Sequence, residues 1–474
     1  MAIDENQVEK IVQEVVNKLF TSSGTSTLKT AAATTTGSSE GFFDKIDDAI
    51  KAAKDAQKRF VDMGRDIRFK IVSEIRKASL EEKENLAKLT VEETKLGRVD
   101  DKVIKIEVAA LYSPGPEVLK ATTYSNEKGT VTVEGAPFGV IGAITPMTNP
   151  APTIINNTIS MISAGNSIVY LPHPAAHKVT IECFKIVHNA IVNAGGPPNL
   201  MTAARESKIE NAAAVFKSPD IDLLTVTGGP GIVRLAMKSG KRVLGAGPGN
   251  PPVVVDDTAD IEKAADDIVF GASFDNNILC NEEKICIVMR SVLDRLLEAF
   301  TRYRTVVLNE EQAAKVTGII VDEKGEIVKS YIGKDCDKIL KDAGINVDPG
   351  TRLAVFVTDV DHPVVQHEQL MPVLPVVPVD SFEEAVSVAL NVEHNFKHTA
   401  IIHSNNLDRI TKFSQDINTT YVIINGPSQA LAAEAYRGGT TWTIAGATGE
   451  GVTTPESFTR ERRLVVSGGM NFVK

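Results

Sequence analysis

The chain has 474 residues, room for about three domains at ~150 residues each. Its 43% hydrophobic content and formal net charge of −10 suit large apolar cores; they argue against a general nucleic-acid binder, which needs clustered Lys and Arg for phosphate, but leave room for an anionic cofactor held at one local site. Cys183, Cys280, Cys286 and Cys336 form no C-x-x-C pair, so neither a zinc module nor a disulfide scaffold is expected, and a reducing interior is.

In chain order, Val8, Ile11, Val12, Val15, Val16, Leu19 and Phe20 recur at helical spacing and predict a separate amphipathic helix over residues 1–20. Residues 21–41, rich in Ser, Thr, Ala and Gly, read as a flexible linker. The start is acidic and amphipathic rather than basic then apolar, so no signal peptide is expected. Residues 42–112 read as helical: Ile46, Ala49, Ile50, Ala53 and Phe60 keep one stripe, and Ile67, Ile71 and Ile75 another. From about Thr130 the pattern becomes strand, turn, helix. Strands are expected at Val140–Ile144, Ser167–Leu171, 223–226 and Pro252–Val255, rich in Val and Ile as buried parallel strands should be. A second such block runs from about Asp256 to Asn425, with strands at Ile285–Met289, Leu353–Val357 and 399–402. The fold class is therefore α/β. Residues 135–172 carry no Asp, Glu, Lys or Arg, but Pro137, Pro146, Pro150 and Pro152 interrupt them; a membrane span needs about 20 mostly apolar residues, so buried strands, turns and one helix are expected instead. The tail, 440–474, reads as a β-rich segment at 441–445 followed by a Gly-rich turn.

Three stretches carry chemistry. In Gly271-Ala-Ser-Phe-Asp-Asn-Asn-Ile-Leu-Cys280 the cysteine follows small and polar residues beyond a helical segment. A thiolate there is a nucleophile; on local sequence alone, a buried structural cysteine fits as readily. In Gly139-Val-Ile-Gly-Ala-Ile-Thr-Pro-Met-Thr-Asn149 a strand ends at Thr145 and prolines hold a turn. Asn149 there offers a side-chain N–H to a developing oxyanion, or simply forms the turn. In Leu223-Leu-Thr-Val-Thr-Gly228-Gly229-Pro-Gly231 a strand enters a Gly-rich turn with Pro230 suited to a helix start. The N–H groups of such a start hold phosphate.

The order of these stretches resembles the aldehyde dehydrogenase superfamily from about residue 42 to the end. Within it, the chain is similar to the CoA-acylating branch of bacterial microcompartments and fermentation. The carrying stretches are I-G-A-I-T-P-x-T-N-P, T-G-G-P-G, G-A-G-x-G-N-P-P-V-V-V-D-D, S-F-D-N-N-x-x-C, K-H-T-A and T-I-A-G-x-T-G-E-G. The resemblance implies a Rossmann-type NAD domain over 42–255, with a bridging β segment near 128–137. It also implies an α/β catalytic domain over 256–430 and a β oligomerisation flap with tail over 431–474. By position it assigns Cys280 as nucleophile, Asn149 as oxyanion donor and His398 as a proton-handling group at the thiol. Glu368 falls on the glutamate that holds the nicotinamide ribose, Thr145 and Pro146 on the turn beneath the cofactor, and Gly228 and Gly229 on the turn near the pyrophosphate. His173-Pro174 stands where many members have Lys-Pro at the adenosine ribose. Losing that fixed charge disfavours the 2′-phosphate of NADP.

Hydrolytic members carry L-E-L-G-G, whose glutamate activates water; here Gly245 takes the glutamate's place. The resemblance thus implies NAD as cofactor and coenzyme A as co-substrate of a short-chain aldehyde, acetaldehyde or propionaldehyde, with no membrane partner. It implies a homodimer or homotetramer, and a cytoplasmic location within a bacterial microcompartment. Residues 1–20 resemble encapsulation peptides that bind shell or cargo proteins. His394 and His398 have i, i+4 spacing, but the H-E-x-x-H glutamate is missing, so no metal is expected. Cys286 reads as core, because residues 284–289 alternate as a strand. The rival readings are a hydrolytic dehydrogenase, which Gly245 opposes, and a non-catalytic scaffold, which Asn149, Cys280 and Glu368 together oppose.

Overall fold

In the computed structural model, residues 40–432 and 439–469 are described. The helix expected over residues 1–20 and nearly all of the linker over 21–41 lie outside them.

Two parallel sheets form the body. The first has six strands in the order Phe42–Phe43, Met201–Ala204, Ser167–Leu171, Val140–Ile144, Leu223–Thr227, Arg242–Ala246. The second has seven, in the order Thr305–Val307, Leu353–Val357, Val373–Val379, Ile285–Met289, Pro252–Val255, Thr399–His403, Tyr421–Ile424. Central strands are buried on both faces, which is why their sequences run apolar without alternation. Helices of the stretch 46–112 pack over the first sheet: the stripe Ile46, Ala49, Ile50, Ala53 is buried on it, and Ile71 and Ile75 join a deeper cluster with Tyr170 and Phe184.

The uncharged stretch resolves into strand, helix and strand. Helix Pro150–Ser163 is buried on every side and accordingly carries no charged side chain. Asn156 is satisfied internally: it donates to Ser113 Oγ at 2.8 Å and accepts the Trp442 backbone N–H at 3.0 Å, whereas Asn157 Nδ2 and the Ser160 hydroxyl are buried without a partner. Among the described residues no helix is long and apolar enough to cross a membrane.

Two readings of the sequence are corrected. Pro252–Val255, grouped there with the first block, lies in the interior of the second sheet between Ile285–Met289 and Thr399–His403. An apolar strand advertises burial but not its partners, so the crossing between bodies comes earlier, at residues 247–251. In the tail, only Ile444–Ala445 of the segment 441–445 is strand, paired with Gly451–Val452. The long strand is Thr459–Ser467. It pairs antiparallel with Gly129–Pro137, which also pairs with Thr122–Asn126. Ala445 and Phe458 sit in the core of the first body, so the tail packs back on that body before it enters this third sheet.

Candidate active site

Cys280 follows helix Ile261–Ser273 through three consecutive left-handed residues, Asp275, Asn276 and Asn277, at φ 43°, 58° and 62°. Asp and Asn tolerate this region better than other side chains, yet each such residue costs of order 1–3 kcal/mol. Side-chain bonds hold the turn. The Asp275 carboxylate accepts from Lys102 Nζ at 2.9 Å, from Lys105 Nζ and from the Arg98 N–H at 2.6 Å. Asn276 Nδ2 donates to the Gly333 carbonyl at 3.0 Å and to Asp335 at 2.9 Å. Asn277 Nδ2 donates to the carbonyls of Ala272 and Glu283, both at 3.0 Å, and its own carbonyl accepts from Lys284 Nζ at 2.7 Å. The D-N-N of the sequence is thus the part that fixes the loop bearing the cysteine.

Of the four cysteines, only Cys280 is partly exposed, and the other three are buried. Its Sγ lies 3.1 Å from His398 Nε2. Burial, with the Glu368 carboxylate second, pushes the thiol up to about 12, while Lys284 pulls the other way. Burial pushes the His398 imidazole down to about 3, with Lys284 acting in the same direction. The pair is therefore neutral at rest. His398 Nδ1 lies 2.9 Å from Thr399 Oγ1, and a donated Nδ1–H there leaves Nε2 as the acceptor facing sulphur. Glu393 accepts the His398 backbone N–H at 2.8 Å, which anchors the turn carrying the ring. His394 looks elsewhere, with Nε2 2.9 Å from the Gln366 carbonyl. No group of three His, Cys, Asp or Glu among the described residues could hold a metal.

Asn149 is the N-cap residue of helix Pro150–Ser163. Its carbonyl accepts from Thr153 Oγ1 at 2.7 Å, and its Oδ1 from Lys105 Nζ at 2.9 Å.

Thr145, Pro146, His173, Pro174, Gly228, Gly229 and Glu368 all line one cavity of about 490 Å³. The strand order explains the convergence. After Val140–Ile144 the chain adds strands on one side, then returns to add Leu223–Thr227 on the other. Ligands of open α/β sheets bind at such a switch point, beyond the strands' carboxyl ends. Thr145-Pro146 and Gly228-Gly229 are the residues that leave these two strands. The Thr145 hydroxyl is buried without a partner. A β-carbon on Gly229 would meet nothing within 4 Å, so the backbone opens onto free space where helix Pro230–Met237 begins. His173 Nδ1 accepts the Ala175 N–H at 3.1 Å. Burial raises the Glu368 carboxyl to about 7, against Lys284 and the Gly249 N–H it accepts.

Gly249 joins cavity and thiol. A β-carbon there would lie 2.3 Å from the Cys280 carbonyl oxygen and 3.0 Å from His398 Cγ, so only glycine fits the approach. A second pocket, of about 250 Å³, is lined by Lys105, Phe270, Phe274, Leu279, Asn281 and Trp442 among others; Leu279 and Asn281 are the sequence neighbours of Cys280. Gly245 is hemmed in: a β-carbon would meet Val233 Cγ1 at 2.9 Å and Thr448 Cγ2 at 3.3 Å. A glutamate there would have to displace them. Sequence reasoning missed Lys105, Asp275, Gly249, Lys284, Glu393 and Thr399. Lys102 and Lys105 lie on the buried side of helix Val99–Tyr112.

The chain is similar to known proteins. Acetaldehyde dehydrogenase (acetylating) EutE of Salmonella typhimurium is 41% identical over 477 residues, covering 99% of this chain and 100% of that protein. The propionaldehyde dehydrogenase of the Clostridium phytofermentans fucose utilisation bacterial microcompartment matches with a TM-score of 0.89 at 41% identity, over 91% of this chain and 100% of that one. The Rhodopseudomonas palustris propionaldehyde dehydrogenase, solved with bound CoA and an acylated cysteine, matches with a TM-score of 0.89 at 38% identity, over 92% of this chain and 100% of that one. The family model matches residues 20–462, and the chain belongs to the aldehyde dehydrogenase family.

Proposed function

We propose that this protein converts a short-chain aldehyde, acetaldehyde or propionaldehyde, and coenzyme A to acyl-CoA through a thioester on Cys280. The observation that carries the reading is the Cys280 Sγ–His398 Nε2 contact at 3.1 Å, placed beside Gly249 and the cavity that Glu368 lines. NAD fits that cavity, and when bound it accepts the hydride. Gly228 and Gly229 would face its pyrophosphate, Glu368 and Thr145 its nicotinamide end, and His173 and Pro174 its adenosine. His173 stands where a lysine would offer a fixed cation to a 2′-phosphate, which favours NAD over NADP.

The residues act in turn. Burial keeps the proton on sulphur until a carbonyl carbon arrives. As the Cys280 sulphur attacks, His398 Nε2 takes the thiol proton and Asn149 Nδ2 donates to the new oxyanion. Loss of hydride from the tetrahedral carbon restores its carbonyl as a thioester, and His398 returns its proton to water. The coenzyme A thiol then attacks the thioester carbon, its proton passing to His398. Cys280 leaves as the thiolate and is reprotonated, so one proton is released per turnover. The hydrolytic rival lacks a base: Gly245 has no side chain and no room for one. NADH formation from propionaldehyde should depend on coenzyme A beyond a single turnover. Multiple turnovers to free acid without coenzyme A would overturn the reading.

Two assemblies belong to the proposal. Residues 1–20 tether the enzyme to microcompartment shell or cargo proteins. The sheet built on Thr459–Ser467 pairs with a second copy in a homodimer or homotetramer.

A further inference from the structure

We infer that Lys105 is a positioning residue for the oxyanion donor, acting through Asn149. The inference rests on the acyl-transfer reading above. An ammonium has donors and no acceptor. The amide oxygen of Asn149 must therefore face Lys105, whose Nζ lies 2.9 Å from Oδ1. That fixes the flip of the amide and turns Nδ2 away from the lysine. Among the described residues nothing accepts from Nδ2, although the residue is only 9% exposed. Nδ2 is not sealed off from solvent, so an N–H pair aimed by Lys105 and left without a protein acceptor stands open to a ligand oxygen.

Lys105 is itself fixed. It is 2% exposed and bonds to Asp275, which is fully buried and belongs to the left-handed turn leading to Cys280. One ammonium thus links the loop that carries the nucleophile to the amide that meets the oxyanion, and sets their separation. It also lines the smaller pocket with Leu279 and Asn281, the sequence neighbours of Cys280. Lys102, the other cation on Asp275, reaches the Thr148 carbonyl at 3.4 Å rather than the Asn149 amide. The two lysines therefore have separate tasks.

The test is a double-variant cycle on pre-steady-state NADH formation from propionaldehyde. Removing one oxyanion donor costs about 10²–10³ in kcat. Lys105→Met, which frees the amide to rotate, should cost roughly tenfold or more in kcat with the aldehyde KM nearly unchanged, since the interaction exists only in the tetrahedral species. In an Asn149→Ala background the same change should cost less than about threefold, because the group it orients is gone. Lys105→Gln, which keeps a donor, should fold like the parent by circular dichroism and recover part of the rate, so that failure of the Met variant to fold leaves the cycle readable. Equal losses in both backgrounds would show that Lys105 only braces the Asp275 loop, and would overturn the inference. A parent without aldehyde-dependent NADH formation would instead overturn the acyl-transfer reading itself.

Discussion

Cys280 and Cys286 are close in sequence and opposite in environment. Cys286 is fully buried in the strand Ile285–Met289, and burial alone pushes its thiol up; Cys280 faces His398 and is partly exposed. Cys280→Ala should abolish NADH formation while NAD still quenches tryptophan fluorescence or binds by calorimetry. Residual turnover within tenfold of the parent would remove Cys280 from the mechanism. Cys286→Ala deletes one buried sulphur from a β strand, and it should keep substantial activity; complete loss would mean that the nucleophile is misassigned. The pH dependence of alkylation follows from the same burial. The thiolate is the reactive form, and the folded Cys280 thiol is held up to about 12, above its ordinary value. The thiolate fraction then climbs about tenfold per pH unit from about pH 7 to about pH 10. Iodoacetamide inactivation of the NAD-free protein should rise without a plateau over that window. A plateau below about pH 9 would show that Lys284 outweighs burial.

At the scale of elements, the junction 247–251 brings the two bodies together at the thiol. Gly249→Ala puts a methyl 2.3 Å from the Cys280 carbonyl and 3.0 Å from the His398 ring. Both neighbours must move, and a misplacement near 1 Å can cost roughly a hundredfold in rate. We expect a loss of that order in kcat with a smaller change in Tm, read by steady-state kinetics and thermal unfolding; unchanged kcat would mean that the cysteine loop yields freely. This junction also marks what could be read from residues alone. Strands such as Val140–Ile144 and Ile285–Met289 stand out because strands buried on both faces are unbroken apolar runs. Pro252–Val255 looks the same locally, and only its pairing with Ile285–Met289 and Thr399–His403 places it in the second sheet. Thr459–Ser467, largely exposed, has no buried stripe to betray it. Within the site, the turn and helix-start residues were legible by motif. Lys105, Glu393 and Gly249 were not, because their roles exist only between segments distant in sequence.

At the scale of the whole molecule, two segments lie outside the residues assigned to the chemistry. Tyr124, Leu464 and Val465 are 64%, 68% and 64% exposed on the three-stranded sheet. Val131 is paired in register with both Tyr124 and Val465, so these side chains share a face, and Leu464 is on the other. Apolar side chains on both faces of an exposed sheet call for a partner. Leu464→Lys with Val465→Lys should shift the protein toward monomer by light scattering, and an unchanged mass would place the subunit contact elsewhere. The second is the segment 1–20; the family match begins at residue 20. Its apolar positions recur at helical spacing, while Asp4, Glu5, Glu9 and Glu14 offset Lys10 and Lys18, unlike the basic face of a membrane-surface helix. A helix limited to the stripe, residues 8–20, would be marginal alone, since isolated helices of about 12–15 residues or fewer barely form in water. Its stripe therefore calls for a groove on another protein, as in helix-in-groove recognition. Every residue assigned to the chemistry lies in the described body. Deleting residues 1–20 should thus leave coenzyme-A-dependent NADH formation nearly unchanged and release the enzyme from purified shells. Continued co-sedimentation of the truncated enzyme would sink the tether. A large loss of activity would mean that the segment docks on this protein's own body.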